Sequence, residues 1–157
     1  MPSDTLTATS LKPNVPQAAI WLGGLGLVPF AMMVAALHFG PTEQTALMGS
    51  ALIGYSAVIL SFLGGIAWGR CLSSDSEMRP KIQTRMMMIS NVPPLLAWTA
   101  LLLEFDTGLM LLMACFAAML AVDLKLVGLH LYPAWFRWLR VPLTLSVISI
   151  LAFACFA

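Results

Sequence analysis

Charged residues are scarce in this chain, and their scarcity identifies its class. Lysine, arginine, aspartate and glutamate together make up 10% of the 157 residues, whereas 60% of the residues are hydrophobic. A soluble domain typically has about 25% charged and about 45–50% apolar residues. The composition therefore excludes a soluble globular domain and predicts a membrane protein. Because the net charge is only +1, there is no strong field to attract nucleic acid, and no nucleic-acid partner is expected.

Residues that ligate metals or act as nucleophiles are equally few. The three cysteines, Cys71, Cys115 and Cys155, are predicted at different depths, whereas a disulfide needs Cα atoms within about 7 Å. The two histidines, His38 and His130, are predicted at opposite faces and cannot ligate one haem together. No catalytic triad, paired carboxylates or phosphate-binding glycine loop is present. The sequence therefore predicts no enzyme, no cofactor and no metal site.

Five apolar segments remain, each near the roughly 20 residues that a helix needs to cross a bilayer. We predict an all-α, polytopic membrane protein with spans at about residues 16–39, 42–70, 81–103, 107–127 and 139–157. Residues 1–15 are predicted to be disordered. The segment 131–138, rich in aromatic and basic side chains, is expected to lie along the membrane interface. A four-span alternative, in which the short fifth segment lies on the surface, stays open.

Basic residues are absent from two of the predicted loops and from the C-terminus. All eight fall on one side of the five-span arrangement: Lys12, Arg70, Arg79, Lys81, Arg85, Lys125, Arg137 and Arg140. Since Lys and Arg in short loops are retained on the cytoplasmic side, the N-terminus is predicted inside and the C-terminus outside. The predicted location is the inner membrane of a bacterial cell.

Small residues recur about every fourth position on the second span, and so share one helix face. They are Ser50, Gly54, Ala57, Ser61, Gly65 and Gly69, and the first span carries Ala19, Gly23 and Gly26. Such stripes let helix backbones approach closely in membranes. Two uses stay open: packing of the first two spans against each other, or dimerisation through the segment 65–69.

A polar spot is predicted in the middle of the third span, where Pro93 and Pro94 interrupt the helix. Each proline lacks an N–H, so the carbonyls of Ile89 and Ser90 lose their usual donors. Ser90 and Asn91 are available to repair such a break. Broken helices at this depth also form the binding sites of transporters, so a structural kink and a ligand site both remain possible.

Asp123 is the acid predicted inside an apolar span. Intramembrane carboxylates generally form ion pairs or serve an ion path. Because Arg70 and Arg85 are predicted at the same inner level, an ion pair of Asp123 with one of them is the structural interpretation. A proton or ion path through Asp123 and the third-span break is the alternative.

The chain resembles the transmembrane protein 69-like family, a bacterial and mitochondrial family of unknown function. The matching stretches are WLGGLGLVPF at 21–30, GYSAVILSFLGGIAWG at 54–69, PPLLAW at 93–98 and WFRWLRVPLT at 135–144. Similar sequences often carry a polar residue where this chain has Ala67. The resemblance implies an inner-membrane protein and supplies no activity.

Two functions are consistent with these patterns. The first is a non-enzymatic accessory or assembly component, whose partners are the lipid bilayer, other membrane subunits or a second copy of the chain. The second is a small carrier or ion path that uses the third-span break and Asp123.

Overall fold

The computed structural model describes residues 15–73 and 80–157, and within these ranges the chain is helical with no strand. Six α-helices follow one another: α1 (Gln17–Phe39), α2 (Thr45–Leu72), α3 (Pro80–Ser90), α4 (Val92–Ala100), α5 (Phe105–Gly128) and α6 (Ala134–Ala154). A short 3-10 turn, Thr42–Gln44, leads into α2. The all-α prediction is confirmed. The predicted disordered segment 1–15 lies almost wholly outside the described residues.

Four of these helices are long and apolar enough to cross a membrane: α1, α2 together with its preceding turn, α5 and α6. The predicted third span is instead two shorter helices, because the chain is interrupted at Asn91, just before Pro93 and Pro94. The last helix begins before residue 139, where the fifth span is predicted to start. α6 begins at Ala134, so the aromatic and basic residues of segment 134–138 form its first turns.

The two ends of the helix bundle are identified by contacts between the elements that meet there. At one end, Gln83 Nε2 donates to the carbonyl of Cys71 (2.8 Å), and Arg70 Nε donates to the carbonyl of Leu131 (3.0 Å). At the other end, the His38 ring stacks on Phe153 with centroids 4.2 Å apart. The α3–α4 pair therefore begins beside the end of α2 and runs antiparallel to it.

Charge is segregated between these ends. We call the first the basic end, because the six Lys and Arg among the described residues lie towards it: Arg70, Lys81, Arg85, Lys125, Arg137 and Arg140. The opposite, acidic end carries Glu43, Glu104 and Asp106. Lys12 and Arg79 lie outside the described residues.

The main core is aromatic and aliphatic, and it lies where α1, α2, α5 and α6 meet. Phe30 of α1 is its centre, with its ring edge-to-face against Tyr55 (4.9 Å between centroids) and Phe116 (6.4 Å). Tyr55 also donates its hydroxyl to the carbonyl of Gly26 at 3.1 Å. These contacts join α1 to α2 and α5.

Candidate functional site

A buried ion pair joins the last two helices near the basic end. Arg140 Nε donates to Asp123 Oδ2 at 2.7 Å, and the two residues are only 6% and 3% exposed. Asp123 lies near the end of α5 and Arg140 near the start of α6, so an antiparallel hairpin brings them to the same depth. A charge at such a position is costly unless it is paired, which accounts for the contact.

The predicted partners of Asp123 were wrong. Arg70 instead donates to the Leu131 carbonyl and, through Nη1, to Ser73 Oγ (3.3 Å), while Arg85 is exposed on α3. The physical reason is the early start of α6, which carries Arg140 into the bundle instead of leaving it in the interface. Arg140 shares its buried face with Thr144, Val147 and Leu151, and this helical spacing is the sequence signal that identifies it.

Arg140 and Thr144 also face an apolar cavity of about 500 Å³ between α1, α2, α5 and α6. Within the described part of the chain, Arg140 Nη2 and Thr144 Oγ1 are buried and have no hydrogen-bond partner. Thr144 is 1% exposed. Buried polar groups without partners cost free energy, so these two donors mark the cavity as a candidate binding site.

Tyr132, in the turn between α5 and α6, completes the polar cluster at this end. It is 7% exposed, and its hydroxyl has no partner among the described residues. Burial raises the pKa of Tyr132 to about 12, helped by the nearby Asp123 carboxylate and opposed by Arg140 and Arg70. The phenol is therefore neutral at physiological pH.

The side chains of Ser90 and Asn91 bond to the helical turn that precedes the interruption between α3 and α4. Ser90 Oγ and Asn91 Nδ2 both donate to the carbonyl of Met87, at 2.8 and 2.7 Å. Ser90 is buried and Asn91 is exposed. The polar side chains predicted as a possible site thus bond to Met87, and not to the carbonyls of Ile89 and Ser90 whose usual donors the prolines remove.

Gly64 of α2 packs directly against the break. A Cβ at Gly64 would lie 2.6 Å from the Ser90 carbonyl oxygen and 3.3 Å from Pro94. Because Pro94 has no N–H to donate to that carbonyl, the absence of a side chain at Gly64 lets α2 cover the freed group. The sequence interpretation did not include Gly64 in the packing set.

A second cavity, of about 510 Å³, lies between the broken pair and α5. Ser90, Pro93 and Arg85 line it together with mostly apolar residues, whereas Asp123 does not. The structure therefore does not bring Asp123 together with the break, as the ion-path hypothesis required.

Most of the predicted small-residue stripe of α2 points outward, whereas its member Ala57 is buried in the core. A Cβ added at Gly54, Gly65 or Gly69 would have no neighbouring atom within 4 Å, and Ser61 is exposed. The predicted packing of the first two spans through this stripe is thus wrong, because those helices meet through Phe30 and Tyr55 instead. Gly23 does pack closely, but against Leu143 of α6, whose Cδ1 would lie 2.6 Å from a Cβ there.

Comparison with known proteins identifies the family of this chain. The family model described as protein of unknown function (DUF3429) matches residues 15–156. The chain is 32% identical over 135 residues to transmembrane protein 69 of Xenopus tropicalis, covering 86% of this chain and 52% of that protein. It is 30% identical over 135 residues to transmembrane protein 69 of Mus musculus, covering 83% and 52%.

The chain thus spans about half the length of these relatives. No solved structure matches it. The family match covers nearly all of the described residues and includes every helix of the bundle. The chain therefore belongs to the transmembrane protein 69-like family of membrane proteins, whose function is unknown.

Proposed function

We propose that the chain crosses the membrane five times, with α3 and α4 together forming the third crossing. Gln83, near the start of the pair, is bonded to Cys71, and Phe105, which begins α5 just after the pair ends at Ala100, would lie 3.1 Å from a Cβ at Gly49. Residues 49 to 71 of α2 extend about 33 Å at 1.5 Å per residue, close to the roughly 30 Å of a bilayer core.

With five crossings, the termini lie on opposite sides. The segregation of Lys and Arg to the basic end favours an N-terminus inside and a C-terminus outside. An inner membrane, bacterial or mitochondrial, is the location that this polarity and the family resemblance favour.

Within that membrane, the chain acts as a non-enzymatic accessory component that binds another membrane helix. The observation that carries this proposal is the outward face of α2 formed by Gly54, Ser61, Gly65 and Gly69, which no other helix of the described chain covers. Helix association in lipid depends on close packing, and small residues at four-residue spacing favour it. A face of this kind is suited to a partner helix.

The test compares the same substitution on two exposed glycines. Gly65→Leu adds bulk to the small face, whereas Gly24→Leu adds it to an exposed position of α1 with equally open space. We expect membrane proteins that co-purify with the wild type in mild detergent to be lost from Gly65→Leu and retained by Gly24→Leu. A wild-type chain that purifies alone as a monomer, or equal partner retention by both variants, would contradict the proposal. If Gly65→Leu loses only a self-associated form of the chain, the partner is a second copy of the chain.

A small carrier is the second candidate, favoured by the cavity beside the broken pair. Arg85 and Ser90 are its polar lining residues, so substrate groups would contact these residues rather than Asp123. Reconstituted vesicles with an internal pH-sensitive dye test it. Proton flux that Asp123→Asn leaves intact and Ser90→Ala reduces would support a carrier at the break, and the absence of any flux would remove it.

A further inference from the structure

We propose that the cavity between α1, α2, α5 and α6 binds a membrane quinone, with a ring carbonyl held by Arg140 and Thr144. This goes beyond the accessory role, since it uses a different surface. The argument rests on the two unpartnered donors, the shape and lining of the cavity, and the local charge balance.

The two donors belong to residues that line the same space. Arg140 Nη2 and Thr144 Oγ1 belong to residues that are 6% and 1% exposed, one helical turn apart on α6, and both residues line the cavity. An N–H and an O–H that lack partners are complementary to an oxygen acceptor. A carbonyl oxygen between them would satisfy both.

The charge balance favours a neutral ligand. The Asp123 carboxylate, 2.7 Å from Arg140 Nε, already neutralises the guanidinium. A carboxylate or phosphate added to this pair would leave a net buried negative charge, which is costly in an apolar site. An uncharged carbonyl uses the free N–H without that cost.

The walls favour a flat ring with an apolar tail. Five aromatic side chains line the cavity: Phe30, Phe62, Phe116, Trp135 and Phe136. Aromatic rings stack favourably at offset or edge-to-face geometry. On the α1 side, Ala19 and Gly26 leave room because they carry little or no side chain. The volume of about 500 Å³ is within the usual range of small-molecule sites, roughly 300–1,000 Å³.

Binding of decylubiquinone to the purified full chain in detergent tests the proposal, with native mass spectrometry for stoichiometry and tryptophan quenching for affinity. We expect saturable one-to-one binding. Thr144→Val should weaken binding by about two- to tenfold, as expected for one neutral hydrogen bond. Thr144→Ser, which keeps the hydroxyl, should bind as the wild type does. In the ligand-free protein, Thr144→Val should raise the melting temperature, because it removes an unpartnered buried hydroxyl.

Two glycines of α1 provide the matched control for occupancy. A leucine at Gly26, which lines the cavity and has open space at its Cβ, should abolish binding. A leucine at Gly24, equally open but outside the lining, should leave it unchanged.

Three results would overturn the proposal. The first is the absence of saturable binding. The second is binding that is indifferent to Thr144→Val and Gly26→Leu. The third is tighter binding of oleate or dioleoylglycerol with the same response to those variants, which would identify the occupant as an anion or an ester lipid.

Discussion

Arg140 Nε lies 2.7 Å from Asp123 Oδ2, and this contact closes the hairpin of α5 and α6 at the basic end of the bundle. Both side chains are more than nine-tenths buried. The pair satisfies two charges that would otherwise be uncompensated, and it leaves Nη2 of Arg140, a residue that lines the cavity, without a hydrogen-bond partner among the described residues. Stability and the candidate binding site therefore depend on the same arginine.

Asp123→Ala should destabilise the protein strongly, because it leaves the Arg140 guanidinium buried without a counter-charge. Loss of one partner of a buried pair costs on the order of 3–5 kcal/mol, measurable as a lower melting temperature in detergent. Arg85→Met is the matched control, since Arg85 is exposed and forms no ion pair within the described residues.

The double variant Asp123→Leu with Arg140→Met should recover much of that loss, because no unpaired charge remains. If the two single substitutions add without coupling, the ion pair does not hold the hairpin together in the folded protein.

Gly64→Ala and Gly65→Ala should change stability in opposite directions. A Cβ at Gly64 would lie 2.6 Å from the Ser90 carbonyl oxygen, so α2 and the broken pair must separate, at a cost of about 1–3 kcal/mol. Gly65 has open space, and alanine there should stabilise the helix by about 0.5–1 kcal/mol. Thermal melting of the two variants measures the difference, and equal melting temperatures would show that Gly64 does not cover the break.

The Tyr132 hydroxyl should lose its proton only at high pH. Its pKa is raised to about 12 by burial first and by the Asp123 carboxylate second, against about 10 for an unfolded tyrosine. Because this pKa is higher in the folded than in the unfolded protein, the neutral phenol stabilises the folded state fully at pH values below the unfolded pKa. That stabilisation is lost as the pH rises from about 10 through about 12. The free energy of unfolding should fall by about 1.4 kcal/mol per pH unit between the unfolded and the folded pKa.

Phenolate absorbance of the wild type minus that of Tyr132→Phe measures this titration directly. A difference spectrum with its midpoint near pH 10 would contradict the burial of this hydroxyl.

Much of the fold could be predicted from hydropathy and charge. Apolar runs locate the helices, Pro93 and Pro94 locate the break, and the Lys and Arg residues segregate to one end. These features depend on local sequence, which explains why they are readable without a structure.

The partner of Asp123 and the direction of the glycine stripe could not be predicted in this way. They depend on which helix faces meet and on where α6 begins. An aromatic, basic segment such as 134–138 is equally typical of an interfacial stretch and of a first helical turn. The helical spacing of Arg140, Thr144 and Val147 favours a helix over an interfacial stretch only when the helix is taken to begin at Ala134.

The number of membrane crossings is tested most directly by reporters that are active on one side of the membrane only, fused after Ala157. With five crossings and an inner N-terminus, we expect alkaline phosphatase, which is active outside, to be active in that fusion. Green fluorescent protein, which is fluorescent inside, should be dark. The reverse pattern, a fluorescent and phosphatase-negative C-terminus, would contradict the account: with the N-terminus inside, it would mean an even number of crossings and no third crossing formed by α3 and α4.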